Sequence, residues 1–270
     1  MSVINTNVSA LSAQNALKTN ARSMSTNMEQ LSTGSRINSA KDDAAGLAIG
    51  QNMTTQIRGL NMAVRNVNDA VNMMQTAEGS MIEQTNMLQR MRELAVQSAS
   101  GTYSTTQRSY MTTEFNALVT QIGSIASQTT WNGTALLSAT TTFSFQAGAT
   151  SGQTISVAIG AMTTAGLGIS TSSITSADTA ATAIATLDTA INSINSQRAT
   201  IGASINQMTY AADNLTNISS NAAASRSTVM DTDYATASTN LAKNQIIQQA
   251  ATAMLAQANQ APQSVLSLLK

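Results

Sequence analysis

Cysteine and histidine are both absent from the 270 residues, which removes most enzyme chemistry at the outset. Without Cys there is no disulfide scaffold, no thiol nucleophile and no thiolate metal site. Without His the usual general base and the commonest zinc ligand are missing, so most hydrolase and metalloenzyme mechanisms are excluded. Aromatic residues make up 3% of the chain, one Trp, three Phe and four Tyr, too few for a core built on rings. Charge is equally sparse. Thirteen basic and 13 acidic residues cancel to a formal net charge of zero, and the positive ones are scattered, so the footprint of a nucleic-acid binder is missing. No run of 18 apolar residues occurs, and no membrane partner is expected. Met1 to Val8 lacks the basic and apolar regions of a cleavable signal peptide, so export of this chain would use a route that reads none. The single proline, Pro262, lies near the end and leaves long stretches free to be helical.

What is present is slim and aliphatic. Hydrophobic residues are 42% of the sequence and include 15 Met, while Ser, Thr, Asn and Gln supply roughly four residues in ten, a neutral polar surface that favours association. The spacing Met53, Ile57, Leu60, Val64, Val67, Val71, Met74 alternates steps of four and three and continues through Met81, Leu88 and Met91 to Ala95. That is a heptad seam on a helix of about forty residues. A second seam runs Ile184, Leu187, Ile191, Ile194, Arg198, Ile201, Ile205, Met208, Ala212, Leu215, and the two long seams can satisfy each other. A third, Met111, Phe115, Leu118, Ile122, Ile125, predicts another antiparallel helix after a turn at residues 100–104.

The ends carry thinner stripes: Ala10, Gln14, Leu17, Ala21, Met24, Met28, Leu31 at one and Ile247, Ala250, Met254, Ala258, Ala261 at the other. Rich in Ala and Gln, such a pair buries little by itself and is expected to order fully only against partners. Between Thr140 and Ser176 the pattern changes. Thr142 to Gln146 and Ile155 to Ile159 alternate with period two around a Gly/Ser/Thr turn, predicting a β-hairpin at about 140–160, with Gly166 to Ser176 as a connector. The expected architecture is therefore mainly α: an elongated antiparallel helical coiled-coil rod with a small β-hairpin excursion in the middle and both termini at one end.

No catalytic, cofactor or metal site is expected. Asp42-Asp43 and Asp231-Thr232-Asp233 each precede a helical stripe and read as helix caps. Gly166-Leu167-Gly168 lacks the third glycine of a dinucleotide loop. One polar cluster stands out on the first long helix, where Arg90 and Leu94 lie one turn apart on what reads as an exposed face.

Several longer motifs together resemble a known family. Ile4-Asn5-Thr6-Asn7, the run from Gln30 to Gly46 (QLSTGSRINSAKDDAAG), Arg90-Met91-Arg92-Glu93-Leu94-Ala95 and Trp131-Asn132-Gly133 are similar to the N-terminal half of bacterial flagellins. Asp231-Thr232-Asp233-Tyr234-Ala235 and the run from Leu255 to Leu266 are similar to their C-terminus. The resemblance implies a non-enzymatic subunit of the flagellar filament, secreted and extracellular. Residues 1–43 and 230–270 would form an inner terminal coiled coil, and residues 44–229 a rod without outer domains. The terminal stripes then become an assembly core, with Leu17, Met24, Met28, Leu31, Ile247 and Met254 its larger members. Implied partners are identical subunits, hook-associated and cap proteins and an export chaperone. Gln89, Arg90, Leu94 and Glu114 match positions through which related flagellins meet a vertebrate Toll-like receptor. A hook–filament junction protein and, from another class, a membrane-active secreted translocator are the alternative readings.

Overall fold

The structure is a computed structural model that describes residues 6–267, with side chains described for 6–260. Ile4 and Asn5, and the side chains from Ala261 to Leu266, lie outside it. The element order is α1 (Val8–Thr33), α2 (Ala44–Ala99), α3 (Thr105–Gln128), β1 (Thr130–Trp131), β2 (Thr134–Ala135), β3 (Thr141–Gln146), β4 (Thr154–Ile159), α4 (Ala177–Met230) and α5 (Tyr234–Ser267). The chain is mainly helical with a small β excursion, and it divides into two compact units. One comprises residues 1–56 and 221–270, the other residues 57–220, so the division falls inside the two longest helices.

Within the second unit α2 and α4 run antiparallel. Three polar links set their register: Ser219 Oγ donates to Asn61 Oδ1 at 2.8 Å, Arg198 Nη2 lies 3.5 Å from Glu78 Oε1, and Arg92 Nε lies 2.6 Å from Asp188 Oδ1. α3 folds back along α2, with Arg90 against Glu114 and Arg108 donating to the Ser98 carbonyl. The turn between them ends in a capping box, in which Ser104 Oγ accepts from Gln107 N while Gln107 Oε1 accepts from Ser104 N.

The buried row of α2 is wider than the seam read from sequence. Leu60, Val67, Met74, Met81, Leu88, Met91 and Ala95 are buried as expected, and Ala63, Ala70, Ala77, Gln84 and Ser98 join them at the intervening heptad positions. Val64 and Val71 flank this row half-buried. A helix packed against two neighbours needs a broader inward face, and small residues let the second one approach. On α4 the buried row keeps its seven-residue repeat from Ala180 through Leu187, Ile194, Ile201 and Met208 to Leu215, while the companion position moves from three residues on (Ala183, Ala190) to four residues on (Ala212, Ser219).

β3 and β4 pair antiparallel from Thr141 opposite Ile159 to Gln146 opposite Thr154, as the alternation predicts. Val157 and Ile159 are buried, while Ser144 and Ser156 face each other on the exposed side. The structure adds a second hairpin beyond the one the alternation predicts. β1 and β2 are joined by Asn132 (φ 47°) and Gly133 (φ 80°), the positive-φ pair that a two-residue turn requires. The segment after β4, expected as a plain connector, carries buried Met162, Leu167, Ile169 and Ile174. It is fastened by Gln84 Nε2 donating to the Met162 carbonyl at 3.0 Å and Ser98 Oγ to the Ile174 carbonyl at 2.6 Å. Sparse apolar residues among Gly, Ser and Thr carry no period, which is why the packing was invisible in the sequence.

Candidate functional site

In the first unit α1 and α5 run antiparallel and come closer than any other helix pair among the described residues. Backbone bonds join their adjoining turns, from Arg36 N to the Met230 carbonyl and from Thr232 N to the Gly34 carbonyl. Further along, Asn20 Nδ2 donates to the Asn244 carbonyl at 2.8 Å and Asn7 Nδ2 to the Ala258 carbonyl at 2.7 Å. Asn7 also caps α1 through Oδ1, which accepts from Ala10 N. A short amide reaches the opposite backbone only where two helices nearly touch. The small residues Ala10, Ala13, Ala251 and Ala258 line that contact and permit it.

The inward rows are Ala10, Ala13, Leu17, Asn20, Met24, Asn27, Leu31 on α1 and Ala237, Leu241, Asn244, Gln248, Ala251, Leu255, Ala258 on α5. Each alternates threes and fours, but neither is the stripe chosen by hydrophobicity. Leu17, Met24 and Leu31 face the partner helix, whereas Met28, Ile247 and Met254 lie one position off the row, 55%, 40% and 65% exposed. Gln14, Ala21 and Ala250 are exposed as well. Asn20 holds an inward place because its amide bonds across the contact, and a purely apolar count passes over it. Val8, Leu11 and Ile246 add to the apolar surface left open on this pair.

The Arg90 cluster is divided. Arg90 Nε bonds Glu114 Oε1 and its Nη1 bonds Glu93 Oε2, both at 2.9 Å, so one guanidinium links α2 to α3. Glu114, and then Glu93, hold its proton more tightly than usual. Gln89 is exposed beside it. Leu94 is not part of an exposed face as the sequence suggested: it is 3% exposed and belongs to the core. One helical turn from Arg90 carries a residue forward by slightly more than a full rotation, enough to bring it under the adjoining helix.

One Asp of each acidic motif caps a helix, Asp43 and Asp233, and Asp42 instead braces the preceding turn. Asp43 Oδ1 accepts from Gly46 N at the start of α2, and Asp42 Oδ2 accepts from Ser39 N and Oγ in the turn before it. Asp233 Oδ1 accepts from Ala235 N at the start of α5, and its Oδ2 accepts from the Thr236 hydroxyl. The Ser39 and Thr236 hydroxyls are the main reasons that Asp42 and Asp233 sit below the ordinary carboxylate pKa.

Carboxylates spent on caps, helices paired through small residues, and a terminal pair with an open apolar face define a helical structural protein. Comparison with known proteins gives its family. The bacterial flagellin N-terminal helical region matches residues 4–142, and the C-terminal helical region matches residues 184–269. The flagellar filament 33 kDa core protein of Treponema phagedenis is 43% identical over 99% of this chain and all of its own length. Flagellin FlaB2 of Treponema pallidum is 41% identical over the same shares. Among solved structures, Bacillus cereus flagellin covers 56% of this chain and 88% of its own, at 30% identity and a TM-score of 0.50. The chain belongs to the bacterial flagellin family. It is a structural subunit of the flagellar filament, and the junction and translocator readings are not favoured.

Proposed function

We propose that the chain is secreted and polymerises outside the cell by folding its terminal helices against those of neighbouring copies. One contrast supports this. Ten side chains of α4 are buried, whereas among the described residues α1 buries only Asn20 and α5 only Ala237, and the pair leaves Val8, Leu11, Met28, Ile246, Ile247 and Met254 between 40% and 66% exposed. Apolar surface of that kind on one helix pair marks an association face. Fixing a residue costs about 1–2 kcal/mol of conformational entropy, and the narrow α1–α5 contact offsets little of it. Neighbouring copies supply the rest, and the low charge of these helices, Lys18, Arg22 and Glu29 on α1 and Lys243 on α5, limits stacking of like charges along a lattice. On this reading residues 1–43 and 230–270 form the inner layer, with Leu17, Met24 and Leu31 closing the pair and Met28, Ile247 and Met254 meeting neighbours. Residues 44–229 form the surrounding layer.

Far-UV circular dichroism of monomer and polymer tests the coupling. Helix content rises on polymerisation if the terminal pair orders there, and equal content would refute it. Deleting Ala251 to Lys270 should leave a soluble, partly helical monomer that forms no filaments.

The family reading also brings partners: hook-associated and cap proteins, an export chaperone and a vertebrate Toll-like receptor. For the receptor the exposed candidates are Gln89, Arg90 and Glu114, with Leu94 supporting them from beneath. Arg90→Ala should weaken receptor signalling in a reporter cell, and an unchanged response would remove the cluster from that role.

A further inference from the structure

Sulfur in this chain is all thioether: 15 Met and no Cys. Besides Met24, Met53, Met87 and Met230, which are half-buried, the methionines whose side chains are described fall into two populations. Met73, Met74, Met81, Met91, Met111, Met162 and Met208 are between 0% and 9% exposed, whereas Met28, Met62 and Met254 are 55%, 47% and 65% exposed. Oxidation follows access, so peroxide reaches the second population first. Two of its three members, Met28 and Met254, lie on the outer faces of the α1–α5 pair.

We propose that Met28 and Met254 are oxidation sites that control whether the free subunit can polymerise. The oxidant is a peroxide. The thioether sulfur attacks one peroxide oxygen, the O–O bond breaks, and sulfoxide and water form, sulfur losing the two electrons that the peroxide gains. The product is a polar, chiral S=O on a face that must become dry against a neighbour. Burying such an oxygen without a donor is costly, whereas the parent methionine packs adaptably. Met74, Met81, Met91 and Met208 stay reduced under the same dose, so the second unit stays folded and the change is confined to association. Sulfoxide reductases reverse the step, which makes it a switch rather than damage. In the polymer both side chains are covered, and the filament resists a dose that disables the subunit.

This inference rests on the assembly role proposed above for the terminal pair. The test is graded hydrogen peroxide on the full-length monomer, followed by peptide mass spectrometry and measurement of the critical concentration for polymerisation. Sulfoxide should accumulate at Met28, Met62 and Met254 before the buried methionines, and the critical concentration should rise about tenfold or more. The ratio of treated to untreated critical concentration is compared between the natural chain and a Met28→Leu/Met254→Leu variant, so that any intrinsic change in the variant cancels. A ratio near one for that variant supports the proposal. An unchanged natural ratio despite full oxidation at both sites would overturn it, as would protection that follows Met62→Leu instead. If the untreated natural chain shows no polymerisation, it is the assembly reading that fails, not the oxidation chemistry.

Discussion

Arg198 on α4 and Glu78 on α2 face each other at 3.5 Å, both side chains about one-third exposed, between rows of fully buried aliphatic residues. Arg198 is the one charged residue in the seam of α4, and Glu78 occupies the matching slot on α2, four residues after Met74 and three before Met81. Two opposite charges facing each other between apolar layers act as a register mark, because a shift by one heptad would separate them. Arg198 Nε is buried without a partner, so the pair is held at some cost.

From this geometry Arg198→Ala and Glu78→Ala should each destabilise the chain, by about 1–3 kcal/mol, by stranding the other charge. Replacing both with Leu should recover most of the loss. Denaturant midpoints of the four proteins give the comparison, and additive losses would show that the two side chains act independently.

The turn after α1 should tolerate no side chain. Gly34 caps the helix at φ 71°, and a Cβ there would meet the Tyr234 hydroxyl at 3.1 Å. Gly34→Ala should cost about 1–2 kcal/mol and lower the melting temperature of the monomer. An unchanged melting temperature would place this turn outside the cooperative fold.

Removing the hydroxyl of Ser104 breaks the capping box at the start of α3 and leaves the Gln107 N–H without its acceptor. Ser104→Ala should lower stability by about 1 kcal/mol, with Ser104→Asp close to the natural chain, as read from thermal melts.

Stability should be flat through neutral pH, since no His titrates there. It should fall only in acid. Arg92 pulls the Asp188 carboxyl below its ordinary value of 3.8, and hydroxyl groups do the same for Asp42 and Asp233. A carboxylate with a lower pKa folded than unfolded adds stability that is complete above the unfolded value and is lost as pH falls through the folded one. Urea midpoints should therefore hold above about pH 5 and drop below about pH 4, and Asp188→Asn should flatten part of that drop. A fall that begins near pH 6 would contradict this assignment.

The long helices were legible because a seven-residue repeat of Met, Ile, Leu and Val has one physical solution, and β3–β4 because period-two alternation has another. Helix caps at Asp43 and Asp233 were equally local, each side chain bonding an amide two or three residues away, whereas Ser104 read only as part of a turn. The terminal pair was less legible. The apolar stripes include Leu17, Met24 and Leu31, which do face inward, but also Met28, Ile247 and Met254, which do not, and they pass over Asn20, whose inward placement depends on the Asn244 carbonyl of the other helix. The Asn-Gly turn at 132–133 was a hairpin signal that its two-residue strands made easy to miss.

The sequence by itself therefore determined the class: a helical chain with its long seams, its hairpin and its caps, because those rest on periodicity and near-neighbour bonding. Only the tertiary structure decided which side of each helix is closed. It put Leu94 in the core beside exposed Arg90, packed the loop after β4 on Gln84 and Ser98, and left Met28 and Met254 uncovered. Those outcomes depend on how many neighbours each helix has and how near they come, and residues far apart in the chain set both.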